Sequence, residues 1–227
     1  MVKNHIKRIK APKTWNIHRK SKQRFVTKPY PGGQSLDLTL SVNTFLKDVL
    51  DISETTKETK YLLKRAHVKV NGKVCYDDKF PIGFLDVLSC EGKNYLCTIN
   101  KRGVLDAKEL KENTLLLRIK GKTLLKKNLV QLNSLNGLNV LVDAKESKNY
   151  KRGDSIVVSL EDKKIQSHFS RQKGAPVFVY QGRHVGVHGK IETIEKGVMK
   201  INHDDSFVET LSDRTVVIGN DKNTYDI

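Results

Sequence analysis

Several things that would fix a function early are scarce in this sequence. There are only three cysteines in 227 residues, Cys75, Cys90 and Cys97, and no Cys-x-x-Cys pair. An odd, scattered set supports neither a disulfide framework nor a zinc knuckle, so the three read as buried small hydrophobes in a reducing compartment. No apolar run approaches the ~18 residues of a membrane span. The N-terminus MVKNHIKRIK has no apolar core of the signal-peptide kind, so the expected setting is the cytosol, with no membrane partner. A dinucleotide-binding G-x-G-x-x-G is absent, and Gly189-Lys190 fails as a phosphate loop because Ile191 follows where Ser or Thr is needed. No cofactor and no small-molecule substrate are expected. Hydrophobic residues make up 37% of the chain, which favours several small modules with modest cores over one deep core.

Acid is the scarcest thing of all at the N-terminal end. The chain carries a formal charge of +17, and its first thirty residues hold ten Lys or Arg and no Asp or Glu. Such an excess attracts polyanions, nucleic acid foremost, although a basic soluble enzyme would also carry it. Like charges at this density repel, so residues 1–34 are expected to be an arm that does not order without RNA. The arm also carries Trp15, the only tryptophan, with Phe25 and Tyr30. Cations interleaved with flat rings suit RNA, the cations for phosphates and the rings for bases. The RNA-binding candidates here are Lys3, Lys7, Arg8, Lys10, Lys13, Trp15, Arg19, Lys20, Lys22, Arg24 and Lys28. PYPGG at 29–33 closes the arm with turn chemistry.

Residues 35–95 read as a small α/β module. In LDLTLSVNTFLKDVL, apolar residues at 38, 42, 45, 46, 49 and 50 have helical spacing. ISETTKETKYLLKRA reads as a second helix capped by Ser53 or Thr55. Thr59, Leu62, Leu63 and Ala66 share one face of it, while Lys57, Lys60 and Lys64 cluster on the opposite side. KRAHVKVNGKV then reads as a hairpin, because Asn71-Gly72 tolerates the positive φ angles of a type I′ turn. Val68, Val70 and Val74 are expected to point inward, and Lys69 and Lys73 outward. DVLSC is a candidate strand of the same sheet.

Residues 96–170 read as a mostly β, barrel-like central domain. Its strands are YLCTI, TLLLRIKGKTLL, LNVLVDA and the pair within SIVVSLEDKKIQSHF, with turns at LNGLN and LEDKK. VLDAKELKEN reads as a single helical turn or a loop. Residues 171–227 are β-rich as well, with strand pieces at VFVY, KIETI, VMKI and RTVVIGN, and DKNTYDI as a frayed tail.

Four stretches, HIKRIKAPKTW, KRAHVKVNGK, DDKFPIGFLDVLS and GRHVGVHGKI, occur in an order and spacing that resemble the archaeal and eukaryotic small-subunit ribosomal protein four-e family. The resemblance spans nearly the whole chain. It implies an α+β, multi-module fold: a basic arm, an alpha-L RNA-binding domain, a central family-specific β domain and a C-terminal SH3-like KOW barrel. In the alpha-L motif a helix pair and a hairpin present a basic face to structured RNA. The residues that match are Lys57, Lys60, Lys64, Arg65, Lys69, Asn71, Gly72 and Lys73, with Gly83 and Asp86 in structural roles. The sequence departs from the motif at its first helix, where SLDLTLSV has Ser in place of the usual Arg. In the KOW motif Gly182, Gly186, Gly189 and Ile191 match, and the glycines imply a tight loop with close backbone approach to RNA. Arg183, His184, His188 and Lys190 are the polar residues of that loop, and Val185 stands where a second basic residue often precedes the central glycine.

Sharper chemistry finds little support. His184 and His188 are four apart but lie among glycines without an acidic or Cys partner, which argues against zinc. Asp77, Asp78 and Asp86 read as solvated turn acids, and His203-Asp204-Asp205 as a turn. The expected function is therefore a structural, non-enzymatic component of the small ribosomal subunit that supports assembly and translation, with small-subunit rRNA and neighbouring ribosomal proteins as partners. Two rivals are an rRNA-modifying enzyme guided by an alpha-L domain and a non-ribosomal RNA-binding assembly factor. The enzyme would need a catalytic Asp motif or a Gly-rich cofactor loop, and residues 96–170 offer neither.

Overall fold

Short strands separated by tight turns account for most of the chain, as its alternating apolar pattern requires. The computed structural model describes residues 4–20, 23–126, 128–195, 197–203, 206–220 and 224–225. The fold is α+β in class and mostly β, with two short α-helices among the described residues. It divides into two units, residues 1–98 with 104–113, and residues 99–103 with 114–227.

The first unit runs β1 (His5–Lys7), β2 (Phe25–Thr27), β3 (Thr39–Ser41), α1 (Val42–Thr44), α2 (Thr56–Lys64), β4 (Val68–Val70), β5 (Lys73–Val74), β6 (Pro81–Gly83), β7 (Val87–Cys90), β8 (Lys93–Ile99) and β9 (Leu105–Leu110). β1 pairs with β2 and β3 with β6, while the main sheet has the order β5-β4-β7-β8-β9. Its core holds Leu40, Phe45, Leu46, Leu63, Val68, Ile82, Phe84, Leu88 and Leu96, all fully buried. Cys75, Cys90 and Cys97 are buried and unpaired, and burial pushes all three thiol pKa values up, Cys97 furthest.

Two readings need correction here. The apolar spacing of 38–50 predicted one helix, but Thr39–Ser41 is extended and pairs with Pro81–Gly83. Ser41 decides the boundary: its Oγ accepts from the Thr44 amide at 3.2 Å, so helix begins at Val42 and continues as one wider π turn, Phe45–Val49. VLDAKELKEN is not a helical turn. Leu105–Leu110 is the last strand of the sheet, with both its leucines buried, and the Leu105 amide donates to the Thr14 carbonyl.

The second unit has two five-stranded antiparallel sheets. The first contains β10 (Thr114–Leu124), β11 (Leu129–Ser134), β12 (Asn139–Asp143), β13 (Ser155–Ser159) and β14 (Ile165–Phe169), in the order β12-β11-β10-β13-β14. The second contains β15 (Pro176–Val179), β16 (His188–Glu195), β17 (Val198–His203), β18 (Ser206–Leu211) and β19 (Thr215–Val217), in the order β18-β17-β16-β15-β19. β11 and β18 went unrecognised in sequence. Arg118, only 3% exposed, ties the sheets by donating Nε–H to the Thr215 carbonyl at 2.7 Å and Nη2–H to the Ser212 carbonyl at 3.3 Å. The C-terminal tail is not simply frayed. Tyr225 is buried, and its hydroxyl donates to the Thr114 carbonyl at 3.1 Å. Residues 221–223 and 226–227 lie outside the described residues, as do Asp204 and Asp205 of the expected turn.

Candidate nucleic-acid interface

One cationic surface grows from helix α2. Thr55 caps it: Thr55 Oγ1 accepts from the Glu58 amide at 3.3 Å, and Glu58 Oε2 accepts from the amides of Glu54 and Thr55 at 2.8 and 3.3 Å. Those bonds, the Glu54 amide first, hold the Glu58 carboxyl below its ordinary pKa. Ser53 is not the cap. It is buried, and its hydroxyl bonds that of Thr59 at 2.8 Å. Thr59 and Leu63 fix the inward face, so Lys57, Lys60, Tyr61, Lys64 and Arg65 are exposed together. Among the described residues no ion pair ties down these four cations. Sequence reasoning missed Tyr61, whose ring lies under the Arg65 guanidinium at 4.3 Å. The i, i+4 steps from Lys57 to Tyr61 to Arg65 were the available signal.

The hairpin after α2 turns at Asn71 and Gly72, with φ of 50° and 80°, as a type I′ turn requires. Lys69 and Lys73 are exposed. Val74 does not point inward. It pairs with Lys69 on the outer face and is 40% exposed, while Cys75 enters the core in its place. Asn71 is not free to meet RNA, because its Nδ2 donates to Asp86 Oδ1 at 2.9 Å and its Oδ1 accepts from the Val87 amide at 2.9 Å. Asp86 is no solvated turn acid either. It is buried, and its Oδ2 accepts from the Gly83 amide at 2.6 Å. Asp86 thus clamps the hairpin tip to the turn before β7.

The arm departs most from expectation. It is bound into the first unit by the β1–β2 pair and by buried Ala11, Trp15 and Val26. Trp15 is 2% exposed, with its indole N–H donating to the Leu36 carbonyl at 3.2 Å, so no base can stack on it. Arg8 is 4% exposed and paired with Asp48 at 3.4 Å, so it faces an internal carboxylate rather than a phosphate. Half-buried Arg19 donates to the Ala11 and Pro12 carbonyls at 3.1 and 2.7 Å. Lys7, Lys10, Lys13, Lys20 and Arg24 are exposed, and Lys28 is half-buried. Lys3 and Lys22 lie outside the described residues.

In the second unit, Arg183, His188 and Lys190 are exposed and His184 is half-buried. The His188 ring lies 4.7 Å from that of Phe178. The glycines of this loop serve the chain itself. A Cβ on Gly186, at φ 80°, would lie 2.6 Å from Lys101 Cα, and one on Gly189 would strike the Asn202 carbonyl. Gly186 and Gly189 thus permit close approaches within the protein's own chain. Among the described residues no group of three His, Cys, Asp or Glu could hold a metal ion.

These features define a class: a basic α+β protein whose cations stand on rigid, exposed elements. Comparison with known proteins narrows it. The family model described as Ribosomal family S4e matches residues 91–165, and the RS4NT (NUC023) domain matches residues 2–34. Small ribosomal subunit protein eS4 of Methanocella arvoryzae is 31% identical, with 97% of this chain and 96% of the relative covered. The eS4 protein of Methanocaldococcus jannaschii is 29% identical over the same shares. The crystal structure of the 30S ribosomal protein S4e from Thermoplasma acidophilum superposes with a TM-score of 0.72 at 27% identity, covering 83% of this chain and 98% of that one. The chain belongs to the S4e family of ribosomal proteins.

Proposed function

We propose that this chain is a structural, non-enzymatic constituent of the small ribosomal subunit, located on cytoplasmic ribosomes, that binds small-subunit rRNA and touches neighbouring ribosomal proteins. One observation carries the reading: Lys57, Lys60 and Lys64 on α2 and Arg65 at its C-terminal end, with Lys69 and Lys73 on the adjoining hairpin, are all exposed and free of ion pairs among the described residues. A preordered set of cations beside an exposed Tyr61 suits an A-form RNA surface, which is recognised through phosphates, 2′-hydroxyls and shape.

The working parts are the arm 1–34, an alpha-L domain 35–95, a central β domain 96–170 and an SH3-like KOW barrel 171–227. In the arm the contacts fall to Lys7, Lys10, Lys13, Lys20 and Arg24, with Arg8 and Trp15 anchoring it. In the KOW motif they fall to Arg183 and His184 on the loop and to His188 and Lys190 at the start of β16. Fixed positive charge holds together RNA segments that otherwise repel one another, and no turnover is needed. The test is sedimentation of a native lysate through a high-salt gradient with counting of this chain by mass spectrometry. One copy per small subunit, retained through the wash, is expected. Substoichiometric, salt-labile association would overturn the reading in favour of an assembly factor.

A further inference from the structure

A second acid-free stretch lies deep in the chain. Residues 113–142 carry Arg118, Lys120, Lys122, Lys126 and Lys127 and no Asp or Glu. The described residues among them fold as the β10–β11 hairpin and its return strand β12. The hairpin changes character along its length. From Thr114 to Ile119 every residue of β10 is buried, and β13 pairs with it as far as Arg118. The register then shifts between Ile119 and Gly121, leaving Lys120 as the bulged residue. Beyond that point β10 keeps β11 on one side and, among the described residues, has no strand on the other. Leu124 is 81% exposed and Leu125 42%.

The cations divide by role. Arg118 is consumed between the sheets, and Lys122 donates to the Ser147 carbonyl. Lys120 and Lys126 are exposed and make no ion pair among the described residues. The neighbouring acids are Asp143, opposite Leu129, and Glu146, in a turn that also carries Lys145 and Lys148.

Lysines on an open edge strand deter pairing with another sheet. That role alone does not call for two exposed leucines at the tip, since exposed apolar residues invite the association the lysines would prevent. A protein partner fits poorly as well. A stable protein interface needs about 800 Å² from each side, far more than two leucines present. RNA asks for less: phosphates beside the lysines, and one ribose or base face on which an apolar side chain can pack or wedge.

We propose that the distal end of the β10–β11 hairpin, residues 120–126, is a further rRNA-binding site. Lys120 and Lys126 contact phosphates, and Leu124 and Leu125 pack on an exposed ribose or base. The inference rests on the ribosomal reading above, and the test separates the two. Binding of the full-length chain to small-subunit rRNA is measured over a salt series for the K120A/K126A, L124A and K57A/K60A/K64A variants. K120A/K126A should flatten the slope of log K against log salt by roughly 1.4–1.8, two phosphate contacts' worth. L124A should weaken binding several-fold with the slope unchanged. If the α2 variant loses affinity while both hairpin variants match the parent, the hairpin site is wrong and the ribosomal reading stands. If no variant loses affinity, the rRNA reading itself fails. If the hairpin variants bind RNA normally but lose a crosslink to a neighbouring protein in the subunit, the tip is a protein contact and the proposal is overturned.

Discussion

Single side chains decide how rigid the candidate interface is, and Asp86 is the plainest case. One carboxylate holds Asn71 of the hairpin tip and the Gly83 amide. Asp86→Ala leaves both donors buried without an acceptor, so it should destabilise the first unit by about 2–4 kcal/mol. Chemical denaturation followed by circular dichroism measures the loss directly. Composition alone did not separate this acid from Asp77, nine positions earlier, because one of its partners, Asn71, lies on the preceding hairpin; only the family resemblance gave Asp86 a structural role. The same limit applies to Arg8. Its position in a run of cations read as RNA contact, whereas Asp48, forty positions away, claims it. The cysteines were legible, since a small apolar side chain needs no partner to be buried. With thiol pKa values raised by burial, all three should resist iodoacetamide at pH 8 in the native protein and react quickly once it unfolds. Rapid native alkylation of Cys97 would contradict its placement in the core.

Elements were legible where their signals are local. Helix α2 carries its cap, its buried face and its cationic face within a dozen residues, and the Asn-Gly turn specifies the hairpin outright. The stretch 38–50 was not legible, because one apolar spacing served both a strand and a helix and the Ser41 cap settled it. β9 failed for the opposite reason: LDAKEL is polar by composition and becomes a strand only because β8 offers an edge. Two outcomes follow for α2. Thr55→Ala should cost about 1 kcal/mol through loss of the cap, read as a lowered denaturation midpoint. Glu58 also makes the cap pH-dependent. With the carboxyl pKa depressed in the folded state, its contribution is complete above the unfolded carboxylate range and is lost as pH falls through the folded value. Glu58→Gln should remove that acid-limb sensitivity. On the binding side, reversing Lys57, Lys60 and Lys64 to Glu should lower rRNA affinity by roughly 10²-fold at moderate salt. Tyr61→Ala should cost about 1–3 kcal/mol of binding if a base stacks on its ring. Unchanged affinity in a filter-binding assay would move the RNA to another face.

At the scale of the whole molecule the charge was the most readable quantity and the least specific. It marked a polyanion partner but could not sort cations that face solvent from those that face the protein's own carboxylates and carbonyls. The order of elements in the second unit was mostly visible, while the Arg118 and Tyr225 ties were not, since each joins positions about a hundred residues apart. Removing residues 224–227 should therefore lower the melting temperature of the second unit by a few degrees, the effect of about 1 kcal/mol. An unchanged melting curve would show that Tyr225 contributes nothing to stability.

The burial of Trp15 has a spectroscopic consequence. It is the only tryptophan, so the intrinsic fluorescence of the chain reports on one place, the seat of the arm beneath Leu36. Emission should be blue-shifted and poorly quenched by iodide without any RNA present. Because this anchor is already set, RNA need not order the whole arm when it binds. Titration with rRNA should leave the emission maximum where it began.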